Sequence, residues 1–135
     1  MLLGNYFHNI NKNYKNFSFS GISFDTKGIK KNNIFFAIKG NSIDGNKFIP
    51  KAIKKGSKII VSETKKKPFQ NGILYIHTNN VRKLLAETVF KIYNKKPKNL
   101  IAVTGTNGKS SVADFYYQIL KLNNKKKCFN WHIRC

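Results

Sequence analysis

Short, unbroken apolar runs restrict the fold of this chain more than any other feature. Residues 34–38 (IFFAI), 59–61 (IIV, within the predicted strand 58–62, KIIVS) and 100–103 (LIAV) each form one. A run like residues 34–38 suits a strand buried on both faces. Residues 17–24 (FSFSGISF) alternate large and small side chains with a period of two, and residues 73–76 form another short apolar run, so both are predicted strands. Helical stripes lie between them. From Asn46 onward the stripe is Phe48, Ile49, Ala52 and Ile53, with Gly56 as the C-cap. Asn79 or Asn80 caps a second helix through Tyr93, whose apolar positions are Val81, Leu84, Leu85, Val89, Ile92 and Tyr93. Residues 110–122 form a third amphipathic stretch. Residues 25–28 read as a turn, 40–45 as a loop with glycine at each end, and 64–72 as a solvated loop. The first 16 residues give no firm reading. Residues 94–98 are polar, contain Pro97 and mark a domain boundary. The order β-β-α-β-β-α, linker, β-loop-α is that of an α/β protein.

The 135 residues carry 26 Lys+Arg against 5 Asp+Glu, a formal charge of +21. Such an excess invites a nucleic-acid reading. Yet 24 of the cations are Lys and only two are Arg (Arg82 and Arg134), whereas nucleic-acid readers favour the guanidinium fork. The chain is also rich in Asn (18), Ile (16) and Phe (11), which like Lys have A/T-rich codons. The charge is therefore read mainly as base composition, and neither nucleic acid nor membrane is expected as a partner. No apolar run approaches the ~18 residues that span a bilayer. The two cysteines, Cys128 and Cys135, make neither a disulfide framework nor a metal site, so a cytoplasmic location is expected. His8, His77 and His132 show no ligand spacing.

One segment carries explicit chemistry. Thr104-Gly105-Thr106-Asn107-Gly108-Lys109-Ser110-Ser111 follows an apolar run and opens a helix. Glycines let such a loop turn tightly and aim N–H groups at phosphate oxygens, and the helix start adds positive potential. Lys109 would reach the β/γ-phosphates, and the Ser110 hydroxyl would ligate Mg²⁺. The common phosphate loop has a further glycine where this chain has Val103, so the match is to a shorter variant, G-x-x-G-K-S.

The string Thr104–Ser110 resembles the ATP loop of the Mur ligases and of folylpolyglutamate synthetase. Upstream, Asp25-Thr26-Lys27, then Ile34-Phe35-Phe36-Ala37-Ile38-Lys39-Gly40, then Asp44-Gly45-Asn46-Lys47-Phe48 resemble the Mur ligase N-terminal domain. The correspondence spans residues 20–122 and favours the branch that forms UDP-MurNAc-tripeptide, with the pentapeptide-forming branch as runner-up. The resemblance implies a UDP-binding α/β domain over residues 1–94, then the first strand–P-loop–helix of an ATPase-like central domain over residues 95–127. It implies ATP and Mg²⁺ as cofactors, with UDP-MurNAc-peptide and an amino acid as substrates. An acyl phosphate forms on the substrate carboxylate and is attacked by the amine. ATP would be held by Gly105, Thr106, Asn107, Gly108, Lys109, Ser110 and Ser111, with Lys109 catalytic and Ser110 on the metal. The UDP-sugar would be held by Thr26, Lys27, Gly40, Asn41, Ser42, Asp44 and Gly45. Lys27 stands where the family has arginine, which keeps the charge and loses the bidentate fork. Asn46 stands where it has histidine. Asp25 is read as holding a turn, and Asp44 as loop architecture.

The resemblance ends near Lys127. Residues 128–135 read as foreign to it. With a suitable choice of synonymous codons, starting two bases earlier, in the last lysine codon, reads Asn-Ala-Ser-Ile-Gly-Thr-Leu-Gly, of which the fixed bases force the Asn and the first Gly. This resembles the family's next segment, so an out-of-frame tail is expected. Such a fragment would lack ligase turnover. A stand-alone nucleotide- or UDP-sugar-binding module is the competing reading, and a basic nucleic-acid-binding protein a further one.

Overall fold

The computed structural model describes residues 1–8, 10–93, 99 and 101–124. The linker expected at residues 94–98 and the tail at 128–135 lie outside the described residues. The chain divides into two compact units, Met1–Lys95 and Lys96–Cys135.

The first unit is a five-stranded sheet. Its strands are β1 (Gly21–Ser23), β2 (Asn33–Phe36), β3 (Ile59–Ser62), β4 (Phe69–Gln70) and β5 (Ile73–His77), in the order β1-β2-β3-β5-β4. β1, β2, β3 and β5 run parallel, and β4 pairs antiparallel with β5. Ile34 lies beside Ile59, and Ile59 beside Leu74, so equivalent apolar positions align across the sheet.

Two cores explain the unbroken runs. On one face Ile34, Phe36, Ile59, Val61 and Leu74 pack with Leu3, Phe7, Phe19 and Val81. On the other, Phe35, Ala37, Ile60 and Ile73 pack with Ile29, Ile49 and Ala52. Successive residues of β2 and β3 therefore enter opposite cores, and neither strand has a solvated side. Helix α1 (Ile49–Lys54) covers the second face and follows a 3-10 turn over Gly45–Phe48. Gly56, at φ 93°, closes it in a left-handed conformation that a side chain would resist. Helix α2 (Val81–Ile92) covers the first face, and of the two candidate caps Asn80 is used: its side chain accepts from the Lys83 N–H.

Four local expectations change. Only residues 21–23 of the predicted strand 17–24 join the sheet, while Ser18 bridges to Leu2. The apolar parity explains this. Phe17 and Phe19 occupy odd positions and Ile22 and Phe24 even ones, so one straight strand cannot bury both pairs. The chain breaks at Ser20, and Phe24 is left 63% exposed. Second, the supposed loop 64–72 contains β4, joined to β5 by Asn71 (φ 51°) and Gly72 (φ 76°). Two successive positive φ angles at Asn-Gly make a type I′ hairpin turn. Third, the described residues among the first 16 (1–8 and 10–16) join the fold. They form two 3-10 turns, Leu3–Asn5 and Lys12–Tyr14, and bury Leu3 and Phe7. The N–H of Leu3 donates to Phe17 O (2.9 Å), and Lys91 Nζ on α2 donates to Tyr6 O (2.9 Å).

The fourth concerns the second unit. Its helix α3 (Lys109–Leu122) begins one residue before the predicted start. The strand expected at 100–103 is not formed by its described residues, 101–103. A strand exists through ladder hydrogen bonds, and among the described residues nothing pairs with them. Val112, Phe115, Tyr116, Ile119 and Leu122 of α3 are exposed.

Phe36 is fully buried and Phe24 is not. Phe36→Ala should lower stability by about 3–5 kcal/mol, and Phe24→Ala should stay within about 0.5 kcal/mol, both measured as urea midpoints by circular dichroism.

Candidate functional site

β1 and β2 are adjacent and parallel, so the segments that leave them emerge at the same, carboxyl end of the sheet. That is where open α/β sheets place their ligands. The first segment is the turn 25–28. Asp25 Oδ1 accepts from the N–H groups of Lys27 (2.8 Å) and Gly28 (2.8 Å), and Ser23 Oγ donates to the Asp25 carbonyl (2.7 Å). Asp25 thus holds the turn that presents Thr26 and Lys27. Lys55 Nζ donates to the Thr26 carbonyl at 2.6 Å. Thr26 is half-buried and Lys27 exposed.

The second segment is the loop 40–45. Gly40 N–H donates to Ile43 O (2.9 Å), Lys39 and Asp44 form an antiparallel bridge, and Gly45 N–H donates to Ile38 O (2.9 Å). The loop is therefore closed at its root, and Asn41, Ser42 and Ile43 are exposed at its tip. A Cβ on Gly45 would lie 2.5 Å from Ile38 O and 2.7 Å from Ile38 N, both backbone atoms. Close approach, not an unusual φ, requires glycine there. Asp44 Oδ1 accepts from Asn46 N–H (2.9 Å) and Asn46 Nδ2 (2.8 Å). These bonds, chiefly the one from the backbone, hold the Asp44 carboxyl below its ordinary pKa of 3.8, with Lys39 and Lys47 acting the same way. Asn46, in the position of the resemblance's histidine, is thereby spent on the loop, and its buried Oδ1 has no partner.

Two residues that the sequence did not single out sit at this end of the sheet. Glu63, just past β3, accepts from the Val81 N–H at the start of α2 (3.2 Å). Arg82, in the first turn of α2, reaches the Lys39 carbonyl with Nη2 at 3.5 Å. Asn80 as the helix cap was the available signal, because it places position 82 beside the strand ends.

The second unit carries the glycine loop. Gly105 has φ 152°, and Gly108 has φ 72° and caps α3. The first-turn N–H groups of a helix have no intrahelical partner, and here they belong to Lys109, Ser110 and Ser111. Lys109 Nζ folds over the loop and donates to the carbonyls of Gly105 and Thr106. The structure thus brings Gly105, Thr106, Asn107, Gly108, Lys109, Ser110 and Ser111 into one exposed turn. First-turn N–H groups and an exposed ammonium suit a phosphate chain. The Ser110 hydroxyl, in the first turn of α3, would be the oxygen donor available to a Mg²⁺ ion there. Among the described residues no group of three His, Cys, Asp or Glu could hold a metal, and no helix is long and apolar enough to cross a membrane. Asp114 accepts from Gln118 Nε2 one turn along α3 (2.7 Å).

A mostly parallel sheet with loops at its carboxyl end, followed by a glycine loop that opens a helix, defines the class as α/β with a phosphate-loop-like turn. The family described as "Mur ligase family, catalytic domain" matches residues 18–102. The chain belongs to the Mur ligase family. It is 41% identical over 122 residues to the UDP-N-acetylmuramoyl-L-alanyl-D-glutamate–2,6-diaminopimelate ligase of Rickettsia typhi, covering 90% of this chain and 24% of that protein. It is 47% identical over 107 residues to the ligase of the same name from Clostridium tetani, covering 74% of this chain and 21% of that one. The fold is similar to the MurF ligase of Thermotoga maritima, a structure in complex with ADP (TM-score 0.57, 24% identity, 75% of this chain and 23% of that one). MurF from Acinetobacter baumannii is similar to the same degree (TM-score 0.57, 21% identity, 76% and 22%). The chain spans about a quarter of the length of the curated relatives it matches.

Because the folded Asp44 carboxyl has the lower pKa, its contribution to stability is complete above 3.8 and fades as pH falls through the depressed value. Asp44→Asn should be less stable than the unsubstituted chain at pH 7, and their urea midpoints should converge as the pH drops below 3.8. Gly45→Ala should cost about 1–3 kcal/mol at either pH, through forced backbone movement.

Proposed function

We propose that this chain is the N-terminal part of an ATP-dependent ligase that adds the third amino acid to UDP-MurNAc-dipeptide in peptidoglycan synthesis. The observation that carries this reading is the identity to tripeptide-forming ligases over 90% of the chain. Residues 1–94 serve as the UDP-MurNAc-peptide-binding domain and residues 95–127 as the opening of the ATP-binding domain, with residues 128–135 as an out-of-frame tail. Thr26, Lys27, Gly40, Asn41, Ser42, Asp44 and Gly45 hold the nucleotide-sugar. Within that set, Asp44 and Gly45 act by shaping the loop, while Thr26, Lys27, Asn41 and Ser42 are free to meet the ligand. The enzyme works in the cytoplasm, and the relatives' names suggest 2,6-diaminopimelate as the amino acid.

Gly105–Ser111 cradle the ATP phosphates. Lys109 leaves the carbonyls of Gly105 and Thr106 to meet the β/γ-phosphates, and Ser110 contributes its hydroxyl to Mg²⁺. ATP supplies the phosphoryl group that activates the substrate carboxylate as an acyl phosphate, which the amine then attacks with loss of inorganic phosphate. Such transfer is driven by positioning and charge neutralisation, and a lysine with backbone N–H groups provides both.

Calorimetry on the chain should show binding of UDP-MurNAc-dipeptide, and Lys109→Ala should weaken Mg-ATP binding about tenfold or more. ADP release in the presence of both substrates should be absent, since three quarters of the relatives' length is not in this chain. Turnover by the chain alone, or tight, salt-sensitive binding to DNA or RNA in place of the nucleotide-sugar, would overturn the reading.

A further inference from the structure

We infer that Arg82 reads the diphosphate of the nucleotide-sugar, a role that rests on the function proposed for residues 1–94. In the sheet order β2-β3-β5, the start of α2 lies beyond β3 from the loop that leaves β2. Arg82 crosses that distance, and its Nη2 lies 3.5 Å from the carbonyl of Lys39 at the root of the loop. The backbone beneath it is held on both sides. Val81 N–H donates to Glu63 Oε1 (3.2 Å), and Lys83 N–H donates to Asn80 Oδ1 (2.8 Å).

The guanidinium is placed but unspent. It has five N–H donors, and the single contact uses one of them at the long limit of a hydrogen bond. Among the described residues it has no ion pair. The acidic groups at this end of the sheet are engaged elsewhere, Asp25 and Asp44 by backbone N–H groups of their own turns and Glu63 by Val81. Arg82 is also the only guanidinium among the described residues, since Arg134 lies outside them. Two phosphate groups in series present paired oxygens that a planar fork matches with two parallel N–H bonds, which an ammonium such as Lys27 cannot do. Arg82 thus supplies from α2 the fork that Lys27 lacks.

NMR titrations of the full chain with UDP and with uridine test this. Arg82→Ala should weaken UDP about tenfold, the loss of a charge-assisted pair, and leave uridine unchanged. Arg82→Lys should cost about threefold on UDP and nothing on uridine, which keeps the test decisive if the alanine variant unfolds. Unchanged UDP affinity, or equal loss for UDP and uridine, would show that Arg82 merely props the loop and would overturn the inference alone. Failure of the unsubstituted chain to bind UDP would remove the proposed function and this inference together.

Discussion

Burial of β2 and β3 on both faces is the constraint from which the rest of the first unit follows. Ile34 and Phe36 point into one core, while Phe35 and Ala37 point into the other. A strand with no solvated side must be covered twice, and the chain meets that demand with α1 on one face and α2 plus Leu3, Phe7 and Phe19 on the other. The functional loops inherit their position from this. The strands run parallel, so each must leave the sheet at its carboxyl end and return over a face. Turn 25–28, loop 40–45, Glu63 and Arg82 consequently converge where β1, β2, β3 and β5 end.

Charge at that end is arranged by the few acids more than by the many lysines. Asp25 and Asp44 accept backbone N–H groups within tight turns, and Glu63 accepts one at a helix start. Each carboxylate is consumed in shaping the backbone. What remains free is cationic, including Lys27 and the guanidinium of Arg82. In a chain with a formal charge of +21, three of the five acids are thus spent as architecture at this one end of the sheet, which leaves its free side chains cationic.

Much of this was legible in the sequence, and the exceptions have physical causes. The apolar runs at residues 34–37 and 59–61 announce strands because only a doubly covered strand can bury every one of their residues. The glycine loop and α3 were legible because glycine, lysine and helix start lie within a few residues of one another. Residues 1–16 were not, since Leu3 and Phe7 are buried by tertiary packing and follow no period. The break at Ser20 was visible only as a change of parity between Phe19 and Ile22. The hairpin at Asn71-Gly72 was written in its dipeptide, but the lysines at 65–67 made the whole segment look like a solvated loop. Residues 101–103 have strand composition without strand structure, because pairing depends on a neighbour that composition cannot supply. Arg82 escaped notice for a related reason, since its meaning comes from Lys39, 43 positions away.

The brevity of β4 has its own consequence. A sheet of apolar parallel strands offers open backbone groups at its borders, and such borders recruit other chains. Here one border strand is three residues long and the other two. The Asn71-Gly72 turn folds the chain back so quickly that β4 can pair only with Ile73 and Leu74. The approach to it is lined by Lys65, Lys66 and Lys67, and Lys66 Nζ sits 5.0 Å from the centre of the Tyr75 ring. The hairpin therefore works as a hem, ending the sheet in a charged strip too short to template another strand.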